Sequence, residues 1–208
     1  ENGMLLANKQ KEILDFYQAI TPSFIDATFS SNHDQPRILN ELGSDPAKYR
    51  QAIAILLTMP GAPYLYYGEE IGMLGLKPDE HIREPFLWDK KSKDTGHAQW
   101  IKSKYSKDST VVPLELQRAD PKSYFNHYKN LIQLRNSYPA LAIGNLKLPE
   151  TELPKTVMAY HRNTGGQEIF IVHNVGKEAI EITVPVGFKE VIFSLGESEE
   201  AEGKLKLS

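Results

Sequence analysis

The segment from Ala27 to Arg37 holds the densest group of chemically active side chains in the sequence. A short run of apolar and hydroxyl residues leads into Asn32, His33 and Asp34, so that an amide, an imidazole and a carboxylate lie side by side. Pro36 ends any strand here, because proline has no N–H to donate to a ladder. The carboxyl ends of parallel strands are where α/β barrels carry their chemistry. The segment therefore predicts either a catalytic strand end or a loop in which Asp34 or Asn32 caps the next helix.

Helical and strand patterns alternate around this segment and predict a parallel βα architecture. The predicted elements are a helix at 5–20, a strand at 25–31, a helix at 46–59, a strand at 62–67 and a helix from Asp120 onward. The strand at 62–67 is a continuous apolar and aromatic run, which is typical of strands buried on both faces. Ser44 or Asp45 can cap the helix at 46–59, with Pro46 in its first turn.

A long polar excursion from about residue 72 to 119 follows the second predicted strand. Loops of this length are uncommon in compact domains unless they are functional. Asp79 and Arg83 lie in the excursion and could reach a substrate cleft, although a surface salt bridge explains them equally well. Trp88 and Trp100 are candidates either for stacking on a ligand or for anchoring the loop.

The sequence changes to shorter, alternating patterns from about residue 143. Apolar segments at 156–162, 168–174, 179–184 and 190–193 are separated by turn residues, which predicts an antiparallel sheet. The acidic patch that follows is interpreted as a solvated turn; it contains Glu197, Glu199, Glu200 and Glu202.

The composition of the chain limits the classes of partner. The 208 residues are 40% hydrophobic and 25% charged, with a formal net charge of −3 and no cysteine. This balance argues against a nucleic-acid partner held by a basic surface, and it excludes disulfides and thiolate metal sites. No apolar stretch reaches the roughly 18 residues of a membrane span, and the cellular compartment is left open. His127, His161 and His173 lack a partner spacing for a metal, so no metal site is predicted.

Four blocks resemble the C-terminal part of the α-amylase family of glycoside hydrolases, in the order and spacing of that family. They are residues 29–37 and 61–72, similar to the blocks at the seventh and eighth barrel strands; 77–85 with Trp88, similar to a loop of oligosaccharide-processing members; and 117–141, similar to the final barrel helix. The resemblance covers about residues 5–207. It implies an α/β part, the last two units of a (β/α)8 barrel, followed by an all-β part, an antiparallel β-sandwich.

The resemblance also predicts the domain organisation. The barrel portion, with strands 7 and 8 and their flanking helices, is expected at 1–142, and the β domain at 143–208, without its last strand. A retaining glycosidase needs one carboxyl group as acid/base and another as nucleophile. The family carries both on earlier strands, so the chain is expected to be a piece of a larger enzyme and inactive alone. Its strands would expose unpaired edges, which predicts that the free chain self-associates through its barrel-derived half or keeps that half mobile.

Roles for individual residues come from the same resemblance. Asp34 is similar to the family's third carboxylate, which holds sugar hydroxyls and stabilises the transition state. The residues expected to bind substrate are His33, Arg37, Asp79 and Arg83. The alternatives are a structural loop histidine for His33 and a structural ion pair for Arg37.

The implied substrate is an α-linked glucan or a maltooligosaccharide, with neither a nucleic-acid partner nor a membrane span. No cofactor is expected in this chain, while the family leaves calcium open for the full-length parent. Two alternatives stay open: a transglycosylase or isomerase of the same clan, and an autonomous carbohydrate-binding or interaction module that uses the terminal sheet. The aromatic residues near that sheet mostly alternate as core residues do, which favours the hydrolase; they are Tyr160, Phe170, Phe188 and Phe193.

Overall fold

The computed structural model describes residues 3–90, 96–196 and 198–207. The helices in these ranges are α1 (Leu5–Ile20), α2 (Ile38–Glu41), α3 (Pro46–Thr58), α4 (Asp79–Ile82), α5 (Leu114–Gln117), α6 (Tyr124–Ser137) and α7 (Pro139–Ile143), with a 3-10 turn at Glu69–Ile71. The strands are β1 (Asn145–Lys147), β2 (Val157–Thr164), β3 (Gln167–Asn174), β4 (Ile180–Thr183), β5 (Ser198–Ala201) and β6 (Lys204–Leu207).

The chain forms two compact units. The β unit contains residues 1–26, 58–60 and 138–208, and the loop-rich unit contains residues 27–57 and 61–137. The division of the whole protein between residues 142 and 143 stays a prediction.

Helix α1 belongs to the β unit and has the predicted bounds. An ion pair joins Lys11 and Asp15, one helical turn apart on the water-facing side of α1, with Nζ 2.6 Å from Oδ2. The helix ends before Pro22, because the residue before a proline avoids the helical conformation. Leu14 is buried, whereas Phe16 is exposed. The apolar side of α1 is therefore only partly covered within the β unit.

The start of α3 follows the predicted order of cap and proline. Asp45 Oδ1 accepts hydrogen bonds from the backbone N–H groups of Ala47 at 2.9 Å and Lys48 at 3.2 Å, so Asp45 is the cap rather than Ser44. The start predicted for α6 at Asp120 is wrong. The carboxylate of Asp120 instead accepts from Lys122 N at 2.8 Å in a tight turn, and the helix begins only at Tyr124.

The two segments predicted as parallel strands meet at a single bridge in the loop-rich unit. Phe29 pairs with Tyr64 in the parallel direction, and Tyr64 N donates to Thr28 O at 2.7 Å. The direction agrees with βα units, but the prediction of regular strands at 25–31 and 62–67 is wrong. Pro63 removes a donor next to the bridge, and within the described ranges each segment has one neighbour with which to build a ladder.

The β unit contains two antiparallel sheets, in the orders β1–β2–β3 and β4–β6–β5. Strands β2 and β3 pair from Val157 opposite Asn174 to Thr164 opposite Gln167. Side chains of both sheets share one core, which contains Val157, Ala159, Ile182 and Leu205. The sheets therefore pack face to face, as the predicted sandwich requires.

The last hairpin differs from the prediction. Residues 190–193 form no strand, whereas β5 and β6 pair with each other around Glu202 and Gly203, whose φ angles are 51° and 75°. Two positive φ angles suit a tight hairpin turn, and glycine adopts them without steric cost. Glu199 and Glu200 thus lie in a strand, and Glu197 lies outside the described residues.

Within the β unit, a buried polar chain links Thr58 to strands β2 and β3. Thr58 Oγ1 lies 2.6 Å from the hydroxyl of Tyr160, which lies 3.4 Å from Nε2 of His173. Arg162 Nη1 donates to Thr58 O at 2.6 Å. Burial lowers the pKa of His173 from 6.5 to about 4, so this imidazole is neutral at pH 7.

The buried imidazole makes the stability of the β unit dependent on pH. The unfolded chain protonates His173 below pH 6.5, whereas the folded chain does so only near pH 4. The stability that neutral His173 contributes is therefore complete above pH 6.5 and is lost as the pH falls toward 4. We expect the free energy of unfolding to fall by about 2 kcal/mol between pH 7 and pH 5, on the scale of about 1.4 kcal/mol per unit. Urea unfolding at both pH values measures this, and His173→Gln should reduce the difference by the share of His173, while buried His127, whose pKa is also lowered, keeps its own. Equal pH dependence in both proteins would contradict it.

Candidate active site

Four of the five predicted site residues lie together on the surface of the loop-rich unit. Arg83 Nη2 lies 3.0 Å from Asp34 Oδ1 and 3.0 Å from Asp79 Oδ2. His33 Nε2 lies 3.2 Å from Asp34 Oδ2, and Arg83 Nε donates to His33 O at 3.0 Å. We call His33, Asp34, Asp79 and Arg83 the Asp34 cluster.

Two local structures position the cluster. Asn32 Oδ1 accepts from Asp34 N at 2.9 Å, so a side-chain turn follows the bridged segment and turns the Asp34 carboxylate outward. Helix α4 is a single turn, and Arg83 N donates to Asp79 O at 3.2 Å. The two side chains are therefore neighbours at helical spacing. Lys77 donates to Asp79, and this contact lowers the pKa of the Asp79 carboxyl group.

The cluster offers both donors and acceptors to a solute. The side chains of Asp34 and Arg83 are 60% and 40% exposed. Carboxylates accept hydrogen bonds, and guanidinium and imidazole groups donate them. A molecule rich in hydroxyl groups can satisfy both kinds of group at once, and an anion fixed beside it can stabilise developing positive charge.

Arg37 lies apart from the cluster and is only 1% exposed. Its Nη1 donates to Tyr67 O at 2.7 Å and its Nε to Ile82 O at 3.1 Å. Its Cζ lies 4.6 Å from the ring centre of Tyr66 and 4.9 Å from that of Tyr67. Among the residues that the structure describes, Nη2 has no hydrogen-bond partner. Arg37 thus fastens three segments together, and its contact with substrate stays a prediction.

Glu84 is a buried carboxylate that sequence reasoning missed. It is 0% exposed. Its oxygens accept from the backbone N–H groups of Lys104 at 2.7 Å, Tyr105 at 3.1 Å and Ser106 at 2.8 Å. Ser106 Oγ in turn bonds both the N–H and the carbonyl of Leu74, at 2.9 and 2.8 Å. Glu84 therefore fastens residues 104–106 of the predicted excursion to the segment that follows α4.

Glu69 is hydrogen-bonded to the segment that leads into His33 and Asp34. Its carboxylate accepts from the hydroxyls of Ser30, at 3.2 Å, and Ser31. The hydroxyl of Tyr49 donates to Glu69 O at 2.6 Å. Burial raises the pKa of the Glu69 carboxyl group, and the serine hydroxyls oppose that shift.

Other predicted candidates lie outside the Asp34 cluster. Trp88 and Trp100 are both exposed, and the ring centre of Trp88 lies 4.4 Å from that of Phe86. Across the described ranges, no group of three or more histidine, aspartate or glutamate side chains converges as a metal site would need. No described helix is long and apolar enough to cross a membrane.

Comparison with known proteins identifies the family of the chain. Residues 3–144 match the model of the α-amylase catalytic domain. The chain belongs to the α-amylase family. Residues 157–208 match the C-terminal domain of the α-amylase SusG. Both matches confirm the resemblance, and with it a fold made of part of the (β/α)8 barrel and an antiparallel terminal domain.

Similar proteins include several α-amylases. Alpha-amylase 3 of Dictyoglomus thermophilum is 38% identical over 170 residues, 80% of this chain and 34% of that protein. Alpha-amylase SusG of Bacteroides thetaiotaomicron is 34% identical over 201 residues, 91% of this chain and 29% of that protein. The crystal structure of an α-amylase from H. orenii matches with a TM-score of 0.80 and 35% identity, over 95% of this chain and 41% of that one. The chain thus spans about a third of the length of the curated relatives it matches.

Proposed function

We propose that the whole protein is a retaining hydrolase of α-linked glucans or their oligosaccharides, and that this chain supplies Asp34 as its transition-state-stabilising carboxylate. The observation that carries the proposal is the Asp34 cluster itself: two carboxylates, an imidazole and a guanidinium within hydrogen-bond distance in a chain of the α-amylase family. A site with these groups suits a polyhydroxylated substrate.

In this proposal Asp34 acts through charge rather than through a bond to carbon. Cleavage of a glycosidic bond places positive charge on the sugar ring in an oxocarbenium-like transition state. A hydrogen bond from a sugar hydroxyl to the Asp34 carboxylate strengthens as that charge develops, so it lowers the barrier. The nucleophile and the general acid are assigned to parts of the whole protein outside these residues.

The remaining site residues are assigned to the substrate's hydroxyl groups. His33 donates from its imidazole, and Asp79 lies where a bound oligosaccharide could meet it; for Arg83, a sugar contact is the alternative to a role in holding Asp34. Arg37 is assigned to substrate only through the segment that it holds, because its guanidinium is buried. No cofactor is assigned to this chain. Association of the free chain is supported by the exposed side chains of Phe29 and Tyr64 at the lone bridge.

Assays of the whole protein and of the 208-residue chain on maltooligosaccharides test the proposal. The whole protein is expected to release new reducing ends, and the chain alone none, because two displacements need both a nucleophile and an acid. Release of sugar by the purified chain that disappears in Asp34→Ala would refute the assignment. Products longer than the substrate would favour the transglycosylase, and tight binding by the chain without hydrolysis by the whole protein would favour the binding module.

A further inference from the structure

We propose that Arg83 is a positioning residue, which holds the carboxylate of Asp34 in the orientation that the reaction needs. The inference rests on the proposed function, since it takes Asp34 as the stabilising carboxylate. It gives Arg83 a task on the protein itself rather than on the sugar.

Arg83 holds both the side chain and the backbone of the catalytic segment. Its Nη2 lies 3.0 Å from Asp34 Oδ1, and its Nε donates to His33 O at 3.0 Å. The two nitrogens belong to one planar guanidinium group, so the contacts fix its plane relative to both residues. Asp34 cannot turn its carboxylate without losing its bond to Arg83.

Asp79 keeps the guanidinium group from swinging into solvent. Its Oδ2 lies 3.0 Å from the same Nη2 that contacts Asp34. Lys77 pairs with the other oxygen of Asp79 and balances part of the negative charge. Two cations and two carboxylates therefore alternate along one line of contacts.

Buried groups fix the backbone on both sides of Arg83. On one side, Ile82 O accepts from Arg37 Nε at 3.1 Å. On the other side, Glu84 holds the three N–H groups of residues 104–106. Arg37 N also donates to Gly75 O at 2.9 Å, so the catalytic segment and the loop are tied at two points. The backbone that carries Arg83 is thus placed before substrate binds.

The contacts of Arg83 affect the orientation of the Asp34 carboxylate more than the stability of the fold. Exposed ion pairs add little to stability, so fold maintenance does not explain the pair between Arg83 and Asp34. Reaction rates are far more sensitive: a displacement of a reacting group by 1 Å can lower the rate by about 10²-fold. Nη2 of Arg83 acts directly on the Asp34 carboxylate, and Nε acts on the backbone of the residue before it.

Steady-state kinetics of Arg83→Gln in the whole protein, on maltooligosaccharides of increasing length, test the inference. We expect kcat to fall by about 10-fold to 10²-fold, with little change in KM and the same loss for every length. In an Asp34→Asn background, Arg83→Gln should have no further effect on kcat. Arg83→Lys keeps the charge without the planar fork. Its kcat should lie between those of the unmutated protein and Arg83→Gln. It replaces the Gln variant if thermal unfolding shows that the latter does not fold.

Arg118→Gln is the matched control, because it makes the same change at an exposed arginine of the loop-rich unit outside the Asp34 cluster; it should leave kcat unchanged. A loss carried by KM that grows with substrate length would overturn the inference and make Arg83 a sugar contact. Full multiplication of the losses in the double variant would also overturn it. If the unmutated protein is inactive on α-glucans, the proposed function fails and the inference with it. If that protein is active and Arg83→Gln keeps its kcat, the inference alone fails.

Discussion

Replacing Asp34 with asparagine in the whole protein is expected to lower kcat by about 10²-fold to 10³-fold, the usual effect of removing a group that stabilises transition-state charge. Asparagine has nearly the same shape and can still accept from a sugar hydroxyl, but it carries no charge. It therefore separates the electrostatic contribution from packing. The side chain is 60% exposed, so the free energy of unfolding should change little. Steady-state kinetics and urea unfolding of the same preparation measure both quantities.

Asp15→Asn is the matched control for this experiment. It makes the same isosteric change at an exposed carboxylate, one that pairs with Lys11 on helix α1. Its effect on kcat should be negligible, because the pair contributes only to the surface of the helix. Normal turnover in a folded Asp34→Asn protein would show that Asp34 is not the stabilising carboxylate.

Elements whose signals are local were predictable from the sequence. Helix α1 ends before Pro22 as expected, and α3 starts with the order Asp45 then Pro46, because caps and proline act within a single turn. The hairpin β2–β3 follows from two strand-like segments on either side of Gly165-Gly166. These rules need no information from distant parts of the chain.

Elements that depend on partners were not predictable. The segments around Phe29 and Tyr64 have strand-like sequences, but a ladder needs neighbours that they do not have among these residues. At the C-terminus, the sequence around Val191 favours a strand, yet the acidic β5 forms instead. Its Glu199 lies opposite Lys206 of β6, and opposite charges across a strand pair stabilise such a sheet.

The candidate site also has a part that the sequence predicts and a part that it does not. His33 and Asp34 are adjacent in sequence, and Asp79 and Arg83 are one helical turn apart, so each pair could be recognised. That the two pairs meet depends on a loop fold that no short motif encodes. The burial of Arg37 and Glu84 was also hidden, because charged residues in a polar stretch usually face water.

Glu84→Ala is expected to destabilise the loop-rich unit by about 3–5 kcal/mol. The substitution removes the acceptor of the backbone N–H groups of Lys104, Tyr105 and Ser106, of which that of Ser106 is buried and the other two are partly buried. Each unsatisfied buried donor costs about 1–3 kcal/mol. Glu84→Gln should have a smaller effect of about 2 kcal/mol, because its amide oxygen still accepts while its NH₂ group faces donors.

Hydrogen exchange of the amides at 104, 105 and 106 measures this loss directly, since protection there reports the free energy of local opening. Protection should fall strongly in Glu84→Ala and partly in Glu84→Gln. Glu80→Gln is the matched control, because Glu80 lies in the same loop with its side chain exposed, and it should leave these amides unchanged. If the three amides exchange equally fast in the unmutated chain and in Glu84→Ala, the buried carboxylate does not hold the loop, and the support it gives to Arg83 would have to come from the contact of Arg37 with Ile82 alone.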